Sequence, residues 1–270
     1  MSEPIRSEKT LKIAIDARGV ATVTMCRAEK HNAFDDAVIA ELTQAFQQLA
    51  DNSNVRAMVL AAEGKSFSAG ADLGWMKRMA AYSYEENLRD AMALATMLKT
   101  LNTLPFPTIA RVQGAAFGGA VGLVSCCDMA IASPRASFSL SEVKIGLIPA
   151  TISPYVIAAI GQRASRRYFM TAERFSAEEA ARLGLVTQVI AEEQLDETID
   201  AMITTLLANS PAAIRAAKQL VFDVENRVLS DELIKDTSER IARIRVSPEG
   251  QEGLGAFFEK RPANWIKNHV

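Results

Sequence analysis

The stretch GAAFGGAVGLVSCCDMAIASPRASFSLSEVKIGLIP, Gly114 to Pro149, decides how the rest of the chain is read. It opens on a glycine-dense turn, Gly114-Ala-Ala-Phe-Gly-Gly119, and runs through small and apolar residues to Cys127. Such a turn entering a buried helix leaves backbone N–H groups unpaired at the helix N-terminus, where they can hold an anion. Asp128-Met-Ala-Ile-Ala132 then reads as a short buried strand, and Phe138-Ser-Leu-Ser-Glu142 ends on a carboxylate. An anion-holding turn followed by a carboxylate in apolar surroundings suits enolate chemistry.

Composition narrows the classes. The 270 residues are 49% hydrophobic and 23% charged, which allows one large globular domain or a domain with an appendage. A formal net charge of −2 gives no reason to expect nucleic acid or an anionic membrane as partner. No run approaches the roughly 18 apolar residues a membrane span needs, and the polar opening residues lack a secretory core. Three cysteines, two of them adjacent at Cys126 and Cys127, read as small buried hydrophobes of a reducing compartment. With His31 and His269 as the only histidines, no metal centre is expected. A cytoplasmic, metal-free protein is the expectation.

Outward from the opening stretch, Leu11–Asp16 and Val20–Cys26 alternate around Gly19 as a hairpin. A helix capped by Asp35 or Asp36 follows, with Val38, Ile39, Leu42, Phe46 and Leu49 at helical spacing, and then the strand Val55–Ala61. The loop Glu63–Leu73, dense in Gly, Ser and Ala, falls where a βα loop would bind a ligand. Leu73–Ala81 is a Met-rich helix, either packed on the core or forming a wall for an acyl chain. Glu85–Leu101 is predicted as a helix with Leu88, Met92, Leu94, Met97 and Leu98 on its apolar stripe. Pro105 and Pro107 stop it, and Thr108–Val112 is the strand that leads into Gly114. After Pro149 the expected elements are Pro154–Ile160, Arg163–Met170, Ser176–Leu183 with a Ser176/Glu179 capping box, a strand over Leu185–Ile190, and helices over 195–208, 211–224, 232–246 and 248–260. The pattern is an α/β core with a helical C-terminal region.

A glutamate is most often a solvated surface charge, and a glycine turn most often a tight turn. Glu142 gains interest because Val143, Ile145, Leu147 and Ile148 stand beside it and would raise its pKa by desolvation. Two Gly/Ala loops, at Ser68–Asp72 and Gly114–Gly119, could converge two N–H groups on one oxygen as an oxyanion hole. The turn matches neither the dinucleotide nor the P-loop pattern, and no GxSxG elbow occurs.

Together, Ser68-Ala-Gly-Ala-Asp72-Leu73, Gly114–Gly119, Cys127–Ala132, Phe138–Pro149 and Phe257-Phe-Glu-Lys-Arg-Pro262 resemble the crotonase (enoyl-CoA hydratase/isomerase) superfamily from about Leu11 to Lys267. The resemblance implies a spiral core of ββα turns carrying the acyl-CoA site over residues 1–200. It implies a helical region over 201–270 that trimerises, often as a dimer of trimers, and closes over CoA. It also implies an acyl-CoA thioester substrate whose CoA is part of the substrate and not a cofactor. The thioester oxygen would be held by the N–H groups of Ala71 and Gly119, with Glu142 as catalytic acid. Lys30, Ala69, Asp72, Leu73 and Lys260 would meet CoA, Lys260 across a subunit boundary, and Trp75, Met76 and Phe257 would line the acyl end.

Family hydratases usually carry a second glutamate, and here that position is Gly122. Isomerases commonly keep only the glutamate that corresponds to Glu142. The segment Ser141–Ile157 is similar to a bacterial branch of methylglutaconyl-CoA and carboxygeranoyl-CoA hydratases. The expected activity is hydration of a branched enoyl-CoA, with or without a free carboxylate of its own. Isomerisation with one glutamate, or acyl-CoA binding without turnover, are the alternatives. Water would be oriented by Glu142, by Ser125, Ser139 or Ser141, or by the substrate's own carboxylate.

Overall fold

The structure, a computed structural model, describes residues 10–266; His269 and Lys267 lie outside that range. Strands β1 (Leu11–Ile15) and β2 (Val20–Met25) form the expected antiparallel hairpin, with Gly19 at φ 84°. Asp35 caps α1 (Asp36–Asp51) by accepting from Val38 N–H, and all five apolar positions read from its spacing are buried. β3 (Ala57–Ala62) then joins β2 in parallel and is buried along its whole length, as a strand covered on both faces must be.

Helices α2 (Leu73–Met79) and α3 (Tyr84–Asn102) cross back over the sheet. Ser83 and Glu86 close a reciprocal capping box that starts α3. Its buried stripe is Met97, Leu98 and Leu101, whereas Leu88 and Met92 are exposed, at 48% and 57%. That corrects the longer stripe expected from spacing: the N-terminal half of α3 projects beyond the core. β4 (Thr108–Val112), β5 (Ala116–Phe117) and α4 (Gly119–Cys126) follow, then β6 (Met129–Ala132) and β7 (Ser137–Ser139).

Helix α5 (Ser153–Thr171) is two helices joined at Gly161, as its sequence implied. β8 (Phe175–Ser176), α6 (Ala177–Leu183) and β9 (Gln188–Val189) come next, the last shorter than expected. Ser176 caps α6, but Glu179 does not complete the box. Its carboxylate is taken by Tyr168 Oη at 3.0 Å and by Arg182. Four helices end the described chain: α7 (Leu195–Leu207), α8 (Pro211–Val224), α9 (Asp231–Val246) and α10 (Pro248–Glu259).

The large sheet has the order β1-β2-β3-β4-β6-β9, and a small sheet has the order β5-β7-β8. Isolated bridges Phe34 to Ala71 and Ser68 to Ala116 extend the small sheet backwards along the chain. Each turn of the chain therefore gives one segment to each sheet before a helix returns it, which is the spiral of ββα turns. The second sheet is where consecutive turns touch, and it carries the loops of interest. Below the large sheet, α7 buries Leu195, Ile199 and Ile203 against Val20, Val59, Ile109 and Ile131. Lys218 ties α8 to the core by donating to Phe106 O at 3.1 Å and to Asp128 Oδ2 at 2.7 Å. No helix of the described residues is long and apolar enough to cross a membrane.

Candidate active site

The two glycine-rich loops meet. Ser68 N–H donates to Ala115 O, and Phe117 N–H donates to Ser68 O, both at 3.0 Å. On the other side Phe34 N–H donates to Gly70 O and Asp72 N–H to Phe34 O. In this pattern Ala71 N–H is skipped, and among the described residues it donates to no backbone acceptor. Gly119 begins α4, so its N–H has no acceptor inside the helix. Gly118, just before it, holds φ 53° and ψ −123°, a backbone that only glycine adopts without strain, and this turn aims the N-terminus of α4 at the loop junction. The apolar Phe34 ring lies beneath, 2.6 Å from where a side chain on Gly119 would begin. Phe34 is a site residue the sequence reading missed, because its contact depends on two distant loops.

Glu142 opens a 3-10 turn, Glu142–Ile145, three residues beyond β7. Its Oε1 lies 3.2 Å from the point where a Cβ on Gly118 would sit, and its Oε2 is buried without a hydrogen-bond partner among the described residues. Burial pushes the carboxyl pKa up, only partly opposed by its own backbone N–H. Of the four apolar residues expected to shield it, Val143 is half-buried, whereas Ile145, Leu147 and Ile148 are exposed, at 58%, 52% and 72%, and the carboxylate is buried beside the glycine turn.

This sets a sign for stability. A carboxyl whose folded pKa is raised binds more protons folded than unfolded, so stability falls as pH rises from about 4.3 through the raised value. Glu142→Gln should therefore be at least as stable as the parent at neutral pH and lose that advantage below about pH 4. Urea melts at the two pH values check this, and a less stable Gln variant at neutral pH would show that the carboxylate is held by a partner.

Gly122 faces a filled space. A Cβ there would lie 2.4 Å from Ile152 Cγ2 and 3.4 Å from Leu98 Cδ2, and both residues are buried. Ile152 comes from the segment that follows Pro149, so the residue missing from α4 and the apolar residue on α5's leading edge fit each other. Of the three serines considered for water, Ser125 Oγ donates to Val121 O at 2.8 Å and Ser139 Oγ to Ala172 O at 3.3 Å. Ser141 is half-buried, precedes Glu142, and its hydroxyl makes no hydrogen bond among the described residues.

The other expected residues divide into two groups. Asp72 caps α2 through Gly74 and Trp75 N–H, and it sits 3.6 Å from Arg27 and 3.8 Å from Lys30, whose ammonium is exposed. Ala69 on the preceding loop and Leu73 at the start of α2 are exposed, and Met76 is half-buried. Trp75 is a core residue at 4% exposure, its indole N–H donating to Asp90, so the packed reading of α2 holds at that position. Lys260 and Phe257 are not brought to Glu142 within this chain. α10 packs on α8 and α9, and the chain just past it is anchored near the N-terminal edge of β3, where Trp265 donates to Ala208 O and Arg56 to Leu207 O. Phe257 is 78% exposed, and among the described residues its one aromatic partner is Phe258, edge-on.

Comparison with known proteins finds relatives along nearly the whole chain. The family model described as enoyl-CoA hydratase/isomerase matches residues 16–268. A solved enoyl-CoA hydratase from Shewanella pealeana is 50% identical, with a TM-score of 0.92, over 95% of this chain and 96% of its own. One from Mycobacterium smegmatis is 35% identical, with a TM-score of 0.90, over 96% and 100%. The short-chain-enoyl-CoA hydratase of Clostridium acetobutylicum is 30% identical over 92% of this chain and 95% of its own length.

Proposed function

Because this chain belongs to the enoyl-CoA hydratase/isomerase family, we propose that it hydrates an enoyl-CoA thioester in the cytoplasm, through an enolate held between two loops. The observation that carries the reading is Glu142: a buried, unpartnered carboxylate oxygen beside the turn that presents Gly119 N–H. The thioester oxygen accepts from Ala71 and Gly119 N–H, each such donor contributing about 3 kcal/mol where charge develops. Water loses a proton to Glu142 as its oxygen bonds the β-carbon, and the π electrons move to the thioester oxygen. The enolate then collapses as Glu142 returns that proton to the α-carbon. Ser125 and Ser139 donate their hydroxyl protons to carbonyl groups, which leaves Glu142, Ser141 and the substrate's own carboxylate to orient the water.

The proposed substrate is a branched enoyl-CoA of the 3-methylglutaconyl-CoA kind, supported by the likeness of Ser141–Ile157 to that branch. Lys30, Ala69, Asp72 and Leu73 would face CoA, and Met76 the acyl end. Lys260 and Phe257 would serve a neighbouring subunit's site in a trimer or dimer of trimers. The exposed Val221, Val246, Phe257 and Phe258 of α8 to α10 support such an assembly. A second reading, isomerisation by Glu142 alone, is favoured by Ile152 occupying the space at Gly122. Incubation of 2-enoyl-CoA and 3-enoyl-CoA substrates, 3-methylglutaconyl-CoA among them, in oxygen-18 water separates the two.

A further inference from the structure

Two buried amides that the proposed chemistry does not use converge on the loop that presents Ala71. Gln113, 5% exposed at the end of β4, donates through Nε2 to Ala62 O at 2.9 Å and to Gly64 O and Ser66 O at 3.1 Å. Asn32, 3% exposed, donates through Nδ2 to Glu63 O at 2.8 Å and to Ser66 O at 2.9 Å. Ser66 O is thus gripped from both sides. The loop's carbonyls turn inward onto side-chain donors, where an ordinary loop would turn them to water.

Neither amide can reverse without placing its oxygen against those carbonyls, so each is locked in one orientation. Asn32 is locked further: its Oδ1 accepts from Arg27 N–H at 3.0 Å, and its backbone is held at φ 52°, a left-handed conformation that asparagine tolerates. Gly114, next to Gln113, approaches so closely that a Cβ would lie 1.9 Å from Lys65 O.

The chain positions of the two amides matter as much as their contacts. Asn32 lies two residues before Phe34, which bridges to Ala71. Gln113 lies three residues before Ala116, which bridges to Ser68, and six before Gly119. The clamp therefore fastens the three segments that together set the separation of Ala71 N–H and Gly119 N–H. We propose that Asn32 and Gln113 are positioning residues for the thioester, fixing the two N–H donors at the spacing that polarises its carbonyl. This rests on the oxyanion reading of Ala71 and Gly119. A side-chain clamp suits that task because donors must be placed to within a fraction of an ångström before the substrate arrives.

The test is the carbonyl stretching frequency of carbon-13 thioester-labelled butyryl-CoA bound to the protein, read by difference infrared spectroscopy beside steady-state kinetics. Bound to the unaltered protein, the carbonyl should shift to lower frequency; no shift there overturns the oxyanion reading itself. Gln113→Leu should lose at least half of that shift and lower kcat about tenfold or more, with KM changed less than kcat. Gln113→Asn, which keeps the amide, should recover part of both. Should Gln113→Leu fail to fold, Asn32→Ala makes the same demand from the other side of Ser66. A variant that folds, binds butyryl-CoA and shows the full shift overturns the positioning role and leaves the oxyanion reading intact.

Discussion

Glu142→Gln should lower kcat for any turned-over enoyl-CoA by about a thousandfold while acyl-CoA binding persists. The amide fills the same volume but can neither take a proton from water nor return one to the α-carbon. Binding should survive because the proposed N–H donors of Ala71 and Gly119 and the proposed CoA contacts at Lys30 and Asp72 do not depend on the carboxylate. The raised pKa adds a pH signature: activity that needs the ionised carboxylate should fall on the acid side at a pH above the ordinary glutamate value of about 4.3. Rates and a titration with saturated acyl-CoA check both halves. Near-normal turnover by the Gln variant would remove Glu142 from the chemistry.

Gly122→Glu should be strongly destabilising and should not create a second working acid. Its Cβ would start 2.4 Å from Ile152 Cγ2, and its charge would enter a wall made of Ile152 and Leu98. Overpacking costs about 1–3 kcal/mol, and an uncompensated buried charge costs several more. A loss of about 3 kcal/mol or more should appear as a drop in Tm of about 6 °C or more. Pairing it with Ile152→Ala should recover a measurable part of that loss, because the two side chains compete for one space. The melting temperatures of the two single variants and the pair decide it. If Gly122→Glu melts like the parent, the space at Gly122 is not closed.

Much of the fold was legible because it rests on local periodicity. The hairpin around Gly19, the five buried positions of α1, the break at Gly161 and the start of α8 at Pro211 follow from spacing, capping and backbone chemistry. Glu142 and the two loops stood out for the same reason, since glycines and a carboxylate in an apolar run are local signals. What spacing does not carry is which distant segment fills a gap. Ile152 against Gly122, Phe34 beneath Gly119, and the grip of Asn32 and Gln113 on Ser66 O join segments tens of residues apart. Exposure misled in the same way. Leu88, Met92, Ile145, Leu147 and Ile148 are apolar in a pattern that reads as core, yet in this single chain they face outward.

The most direct measurement is the fate of oxygen-18 water during turnover. With 2-enoyl-CoA substrates, 3-methylglutaconyl-CoA and crotonyl-CoA among them, the expected product is a 3-hydroxyacyl-CoA with labelled oxygen on the β-carbon. Its formation should be lost in Glu142→Gln, and the branched substrate should be turned over faster than crotonyl-CoA. Conversion of 3-enoyl-CoA into 2-enoyl-CoA with no labelled oxygen in any product would contradict hydration and establish the single-glutamate isomerase instead.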